Sequence, residues 1–421
     1  MTGTDAAMSG AAGPAVSVLI PAWNAEASIG RALDSVLQEH GVDLECIVVD
    51  DASTDRTLEV VSGIAATDPR VVVLALEANG GVSNARNRGL ELVRGEWLTL
   101  LDADDRFRPG GIAAMHRAAT ARDALAVVGQ QVWSDGRRTW VGPLYDIPDI
   151  RTPGRKSLAS APGLLYYVSP HGKLFHRSVV EGLRFEGRVL GDQPWIIRAL
   201  LRAGDRIEVL GETVYDWIRT APPGAGPSIT AATRSSARRG VEAAEVAGQA
   251  FAAVLAEIEL EVPDGADASR LARTYLERLL RSDLGVHLAR ALDRADPTMG
   301  DLFTAIGGFL APLPPTLWPG RAVLHEIIEP PLRRWSHVPA TARPAFDKLV
   351  RDVLGRQRLL AESGRNPIDR WALRRLLGAS GTRVDRLTFG ALGLSTIART
   401  IGAAPRRARS LSRRLPVVGR A

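Results

Sequence analysis

Runs of β-branched and aliphatic residues recur through the first hundred positions of the chain, and each one ends in a polar or acidic turn. VSVLIPAWN, Val16 to Asn24, predicts a strand closing in a proline turn. Ile29, Leu33, Val36 and Leu37 then recur at helical spacing across residues 26–39. LECIVVDDASTD predicts a second strand ending in Asp50 and Asp51, with Ser53 or Thr54 placed to cap the next helix. RVVVLALEANGG reads as a third strand, GVSNARNRGLELVRG as a third helix and EWLTLLDADD as a fourth strand. Strand and helix alternating at this spacing predict an α/β fold with a mainly parallel sheet. Apolar runs without alternation predict a sheet covered on both faces.

The pattern then loosens. Residues 125–135, 140–147 and 164–168 read as short strands, and PHGKLFHRSVVEGLRFEG as a loop, a strand and a helix. GDQPWIIRALLRAGDRIEVLGETVYDWI reads as a helix followed by strand. The turn-rich TAPPGAGPSITAATRSS marks a boundary, beyond which Ala, Leu, Arg and Glu recur at helical spacing. Helices are expected over 236–260, 268–292 and 345–362, with proline-rich breaks at 312–319 and 330–344. The expected division is a disordered tail over 1–14, an α/β domain over 15–232, a helical domain over 233–386 and a basic amphipathic tail over 387–421.

Composition narrows the class. A chain of 421 residues with formal charge +6 has the apolar and charged fractions of a soluble protein with two or three domains. The lone cysteine, Cys46, excludes an intrachain disulfide and suits a reducing, cytoplasmic setting. No basic leader is visible, and no apolar run approaches the roughly 18 residues of a membrane helix. LFTAIGGFLAPLPPTLW, the longest candidate, is broken by glycines and prolines. The positive charge is dispersed and lacks interleaved aromatics, which disfavours a nucleic-acid partner.

In open α/β sheets ligands bind beyond the C-terminal strand ends. Here those ends carry PAWN, DDAS, EANGG and DADD, so four segments converge on one crevice. Asp102 and Asp104, one residue apart on an extended segment, would project to the same side and reach one ion. Hard oxygen ligands of this kind suit Mg²⁺ or Mn²⁺ beside a phosphate. An acidic turn in which Asp105 caps a helix is the alternative. Asp50 alone would serve the helix that follows it, leaving Asp51 for a base N–H or a ribose hydroxyl. Arg86 lies near a helix start, where phosphate is favoured, although a solvated helix face accounts for it equally.

VSVLIPAWNAEASIGRALDSVL, IVVDDASTDRT, NGGVSNARNRGL and GEWLTLLDADDRF together resemble the nucleotide-binding half of family 2 glycosyltransferases of the GT-A fold, in order and spacing as well as letters. The likeness is continuous from Val16 to Arg108. It resumes at SPHGKLFHRSVVEGLRFEGRVLGDQPW, where it is most similar to bacterial teichoic-acid-type and other cell-envelope sugar transferases. The resemblance implies a Rossmann-like GT-A catalytic domain followed by a mostly α-helical region.

It also implies roles for single residues. Asp51 matches the carboxylate that contacts uracil in a UDP-sugar. Pro21 and Trp23 match the loop beneath the nucleotide, and Asn79 and Arg86 match donor-side contacts. Asp102 and Asp104 match the D-x-D pair, with Asp104 nearest the metal, Mn²⁺ or Mg²⁺. Asp192 matches the catalytic base of inverting members, usually written Glu-Asp, and Gly191 stands in place of that Glu. Arg219 and Ser228 fall where some relatives bring a diphosphate-binding segment. The expected partners are a nucleotide-sugar, with UDP favoured, and a glycan, lipid-linked or polyanionic acceptor.

Residue chemistry on its own leaves several readings open. Asp192 serves equally as an N-cap for QPWIIRALL. His171 and His176 read as packed or solvated histidines before acceptor contacts. A nucleotidyltransferase is the rival enzyme, but it calls for a Gly-rich basic loop where PAWNAEAS stands. A dinucleotide oxidoreductase calls for the absent G-x-G-x-x-G. The helical C-terminal region is open to oligomerisation, acceptor binding or membrane-surface attachment. RTIGAAPRRARSLSRRLPVVGRA carries seven arginines and no acid, so it reads as a solvated tail or as a peripheral contact with an anionic membrane.

Overall fold

The computed structural model describes residues 13–135, 137–142, 147–187, 190–219 and 237–362. Ten strands form one sheet: β1 (Val16–Ala22), β2 (Leu44–Asp50), β3 (Val71–Ala75), β4 (Trp97–Leu100), β5 (Arg106–Phe107), β6 (Ala126–Ser134), β7 (Thr139–Trp140), β8 (Gly154–Lys156), β9 (Lys173–His176) and β10 (Ile207–Ile218). The order is β3-β2-β1-β4-β9-β6-β10-β5, with β7 on β6 and β8 on β10. β1 runs parallel to β2 and β4, β2 to β3, and β6 to β10. β9 is antiparallel to both β4 and β6, which leaves β4 and β6 parallel to each other. The C-terminal ends of six strands therefore share one edge of the sheet, joined there by the start of β9.

Both faces are covered, as the unbroken apolar runs require. Val18, Ile20, Cys46 and Val48 pack with Ile29, Leu33 and Val36 of α1 (Ile29–Leu37) and with Ile112 and Met115 of the helix Gly111–Ala121. Burial pushes the Cys46 thiol far above its ordinary range, so it is inert. On the other face Leu19, Val49, Leu100 and Val128 pack with Ala85 of α2 (Val82–Leu90) and with Trp195, Ile196 and Leu200 of α3 (Asp192–Arg202). That core continues without a break into α4 (Ala237–Glu261), α5 (Gly265–Arg278) and α6 (Met299–Leu310).

Polar contacts tie α3 to the C-terminal helices. Arg198 and Arg202 donate to the two oxygens of Glu257 at 2.8 and 2.6 Å. The Gln193 amide donates to Asp283 at 3.2 Å and accepts from Tyr275 at 3.3 Å and from Arg278 at 2.7 Å. Gln193 and Arg278 are each 5% exposed, so this is an internal network rather than a surface contact.

Several local expectations give way to tertiary packing. Of residues 164–168, the first three belong to a 3-10 turn, Pro162–Tyr166, whose Leu164 and Leu165 are buried, and no strand forms there. Over 140–147 pairing is confined to Thr139–Trp140, and residues 143–146 lie outside the described residues. The helix over 268–292 is interrupted by a π-helical turn, Leu279–Leu284. The broken apolar run proves helical through Gly307 and Gly308 as α6, because burial of Leu302, Phe303 and Ile306 outweighs the glycine cost. Ser53 and Thr54 do not cap the following helix, which spans Thr57–Ala65. They bind the β1 loop instead: Ser53 Oγ accepts from the Asn24 N–H at 3.0 Å, and the Thr54 N–H donates to Asn24 Oδ1 at 2.8 Å. Among the described residues no helix is long and apolar enough to cross a membrane.

Candidate active site

The strand ends converge as their order demands. Pro21 is buried in β1 and pairs with Val49, while Trp23, just past the strand, is 47% exposed. Asp50 ends β2 and accepts from the Ser53 N–H at 3.1 Å, which holds the turn. Asp51 is 3% exposed, and each of its carboxylate oxygens takes a backbone N–H, from Gly80 at 2.9 Å and from Gly81 at 2.8 Å. The Asn79 amide donates to the Asp51 carbonyl at 3.2 Å. Asp51 therefore anchors the EANGG loop and holds Asn79, which is exposed, at the crevice rim.

Arg86 is 2% exposed on α2. One guanidinium nitrogen donates to Asp102 Oδ1 at 3.0 Å and the other to Asp192 Oδ1. Phe185 lies beneath the guanidinium carbon, 5.2 Å from it. A buried cation is tolerated when carboxylates pair with it, and here the two carboxylates come from opposite halves of the fold. Asp192 is the first residue of α3 and does not cap it; Gly191 precedes the helix and makes no side-chain cap. Gly191 is required by crowding, since a Cβ there would lie 2.5 Å from the Glu186 carbonyl oxygen and 2.8 Å from Ser83 Oγ. The glutamate that usually precedes the base has no room in this chain.

The D-x-D segment is a turn, closed by the Asp105 N–H donating to the Asp102 carbonyl at 3.0 Å, and not the extended strand end expected. The groups that gather are Asp102, Asp105 and His171, whose ligand atoms all lie within 4.8 Å of one another. His171 bridges to Leu100 just ahead of β9, stacks on Tyr215 at 5.2 Å and brings Nε2 to 2.9 Å from Asp102 Oδ2. Asp105 does not cap a helix; it accepts from Tyr215 Oη at 2.8 Å and from the Ile218 N–H at 2.7 Å. The Asp104 carbonyl accepts from Arg31 at 2.8 Å. No hydrogen-bonding side chain meets the Asp104 carboxylate among the described residues.

Burial, and then the negative charge of Asp102, push the Asp104 carboxyl above its ordinary value. Burial and the Asp104 and Asp102 charges push Asp105 further up. Burial works the same way on Asp102, but His171 and Arg86 overcome it and hold that carboxyl well below the usual range. Three carboxylates at positions 102, 104 and 105 thus face one buried guanidinium and one imidazole, a deficit of positive charge that a divalent cation fits. Asp102, Asp105 and His171 offer the hard oxygens and imidazole nitrogen that Mn²⁺ or Mg²⁺ accepts, and Asp104 stands between the two aspartates in the chain.

Sequence reasoning did not place His171 and Tyr215 in this cluster. The available signal was the position of SPHGK immediately before a strand, which sets His171 on the crevice edge once β9 pairs with β4. His176 sits at the opposite end of β9, where its ring accepts from the Ser178 N–H and packs on Trp97 at 5.2 Å. Arg219 is exposed, with its guanidinium carbon 4.4 Å from the centre of the Trp133 ring, and among the described residues it makes no contact with the carboxylate cluster. Ser228 lies outside the described residues.

Comparison with known proteins agrees with this geometry. Residues 17–184 match the model of glycosyl transferase family 2. The succinoglycan biosynthesis protein ExoO of Rhizobium meliloti (strain 1021) is 34% identical over 207 residues, 47% of this chain and 58% of that protein. The uncharacterized glycosyltransferase EpsJ of Bacillus subtilis (strain 168) is 30% identical over 212 residues, 48% of this chain and 60% of that protein. The chain thus spans about three fifths of the length of these curated relatives. In fold it resembles S. aureus TarS 1-349, solved in complex with UDP-GlcNAc, with a TM-score of 0.58 at 19% identity over 79% of this chain and 90% of that one. The mainly parallel GT-A sheet, its acidic crevice and the match over residues 17–184 identify that segment as a glycosyl transferase family 2 domain.

Proposed function

We propose that the protein transfers a sugar, a hexose or N-acetylhexosamine, from a UDP-sugar to a hydroxyl of a cell-envelope glycan or lipid-linked acceptor, with inversion at the anomeric carbon. The observation that carries this reading is the Asp102–Arg86–Asp192 chain, which joins the acidic strand end to a carboxylate of the other half. TarS, of like fold, was solved with UDP-GlcNAc, and relatives by sequence are named for envelope polysaccharides.

Asp192 holds one oxygen on Arg86, and its other oxygen has no partner among the described residues. That oxygen takes the proton of the acceptor hydroxyl as the hydroxyl oxygen attacks the anomeric carbon. The bond from that carbon to the diphosphate oxygen breaks, and the nucleoside diphosphate leaves on the opposite side. Bound Mn²⁺ or Mg²⁺ supplies positive charge for the diphosphate. Asp102, Asp104, Asp105 and His171 would hold it. Pro21, Trp23, Asp51 and Asn79 form the nucleotide end of the crevice, with Asp51 acting through the loop it anchors.

Residues 15–232 form the catalytic unit in this reading, and the helices within 237–362 buttress α3. The tail, 387–421, contacts an anionic membrane surface or acceptor polymer. A panel of UDP-, GDP- and ADP-sugars with Mn²⁺, read as released nucleotide, tests the proposal. Turnover confined to UDP-sugars is expected, and nucleotide release from none of them would remove it.

A further inference from the structure

β7, β6 and β10 place three tryptophans in one row. Trp140 is the cross-strand partner of Trp133, and Trp133 is the partner of Trp217. Directly paired residues share a face of the sheet, and the rings meet edge to face, at 6.3 Å for Trp140 with Trp133 and 6.1 Å for Trp133 with Trp217. Trp140 is 39% exposed and the adjacent Val141 43%, so the outer ring of the row is presented to solvent. Arg219 lies over Trp133 and stiffens the row from its exposed end.

The row continues inward to the acidic crevice. Gln131 stands two residues before Trp133, and Tyr215 two before Trp217, so all four project to the same face. Tyr215 is the ring that stacks on His171 and binds Asp105. Gln131 is 2% exposed, yet among the described residues neither its amide nitrogen nor its amide oxygen has a hydrogen-bond partner, and the indole N–H of Trp133 is likewise buried without one. Buried polar groups left unpaired are rare and costly, and a ligand that supplies hydroxyls accounts for them.

We propose that Trp140, backed by Trp133 and Trp217, is a stacking subsite for a pyranose ring of the acceptor glycan, with the Gln131 amide and Trp133 indole N–H meeting sugar hydroxyls. The proposal rests on the transfer reading above. One face of a pyranose is a flat array of C–H groups that packs on an aromatic ring, while its rim is hydroxyl. Position selects acceptor over nucleotide. Asp51 and Asn79 lie toward β2 and β3, Asp102 ends β4 at the centre, and the tryptophans stand beyond β9 on the far side.

The test uses the full chain as wild type, Trp140→Ala and Trp140→Phe. Binding is measured on an array of bacterial surface oligosaccharides, and UDP release from UDP-GlcNAc with Mn²⁺ is measured without acceptor. Trp140→Ala is expected to bind the preferred glycan about tenfold more weakly, Trp140→Phe to retain most binding, and UDP release to stay unchanged in both. Equal glycan binding by wild type and Trp140→Ala, no glycan binding by the wild type, or weakened UDP affinity in Trp140→Ala each overturns the subsite. Trp140-dependent glycan binding without turnover of any nucleotide-sugar leaves the subsite standing and removes the transfer reading alone.

Discussion

Arg86 forms an ion pair with Asp192 across 106 residues of sequence, while its second nitrogen holds Asp102 at 3.0 Å. A single buried guanidinium therefore fixes the spacing between the acidic strand end and the carboxylate that opens α3.

Replacing Asp192 by Asn keeps an oxygen for Arg86 and the helix start, so the fold and UDP binding survive. Transfer is expected to fall by about two or more orders of magnitude, the usual worth of a general base. Steady-state turnover beside UDP titration checks this. Activity within a few-fold of wild type would reassign Asp192 to a structural role.

Asp104→Ala removes a carboxylate that no described side chain pairs with, so little stability is lost. Mn²⁺-dependent UDP binding, read by calorimetry, is expected to disappear. His171→Ala, which takes away an imidazole 2.9 Å from Asp102, is expected to weaken the same signal. Unaltered affinity in Asp104→Ala would exclude it from the metal site.

Asp51→Ala frees the Gly80 and Gly81 amides and the loop that carries Asn79. A loss of about 1.5–3 kcal/mol of stability is expected from the lost hydrogen bonds to a charged acceptor, together with weaker UDP binding. Thermal unfolding and nucleotide titration separate the two effects. Equal affinity of the wild type for UDP, GDP and ADP would argue against a uridine contact.

Glu257 supplies a pH-dependent contribution. Burial raises its carboxyl, but hydrogen bonds from Arg202 and Arg198 outweigh this, and the net value lies below 4.5. Its contribution is therefore complete above the unfolded value near 4.5 and is lost as pH falls through the lower folded value. Glu257→Gln is expected to cost about 1–3 kcal/mol at neutral pH. The gap from wild type should narrow in acid. Denaturant unfolding at neutral pH and below the folded value checks it, and a pH-independent gap would contradict the assignment.

Liposome co-sedimentation tests the basic tail. The full chain is expected to pellet with anionic vesicles at low salt, and a chain ending near Gly381 is expected to remain in solution. Each arginine near the surface is worth about 1 kcal/mol, so attachment should fade as salt rises. Identical behaviour of the two chains would refute tail attachment.

Local pattern alone determined the first half of the sheet. Val16–Ala22, Leu44–Asp50 and Trp97–Leu100 are apolar runs too continuous for any other element, and the polar or acidic segment that ends each run follows it directly in the chain. The helices around Ala237–Glu261 were legible for the same reason, since a 3.6-residue period is a local property. What tertiary structure decided was partnership. Asp51 reads as a ligand group, yet only the fold brings Gly80 and Gly81 onto both its oxygens. His171 reads as an ordinary histidine until β9 enters antiparallel beside β4 and carries it to Asp102. The turn at Asp102 to Asp105 is held by Tyr215 and Ile218, more than a hundred residues away, both of which donate to the Asp105 carboxylate. Helix and strand follow from nearest neighbours along the chain, whereas the charge balance of a buried site depends on groups that sequence keeps far apart.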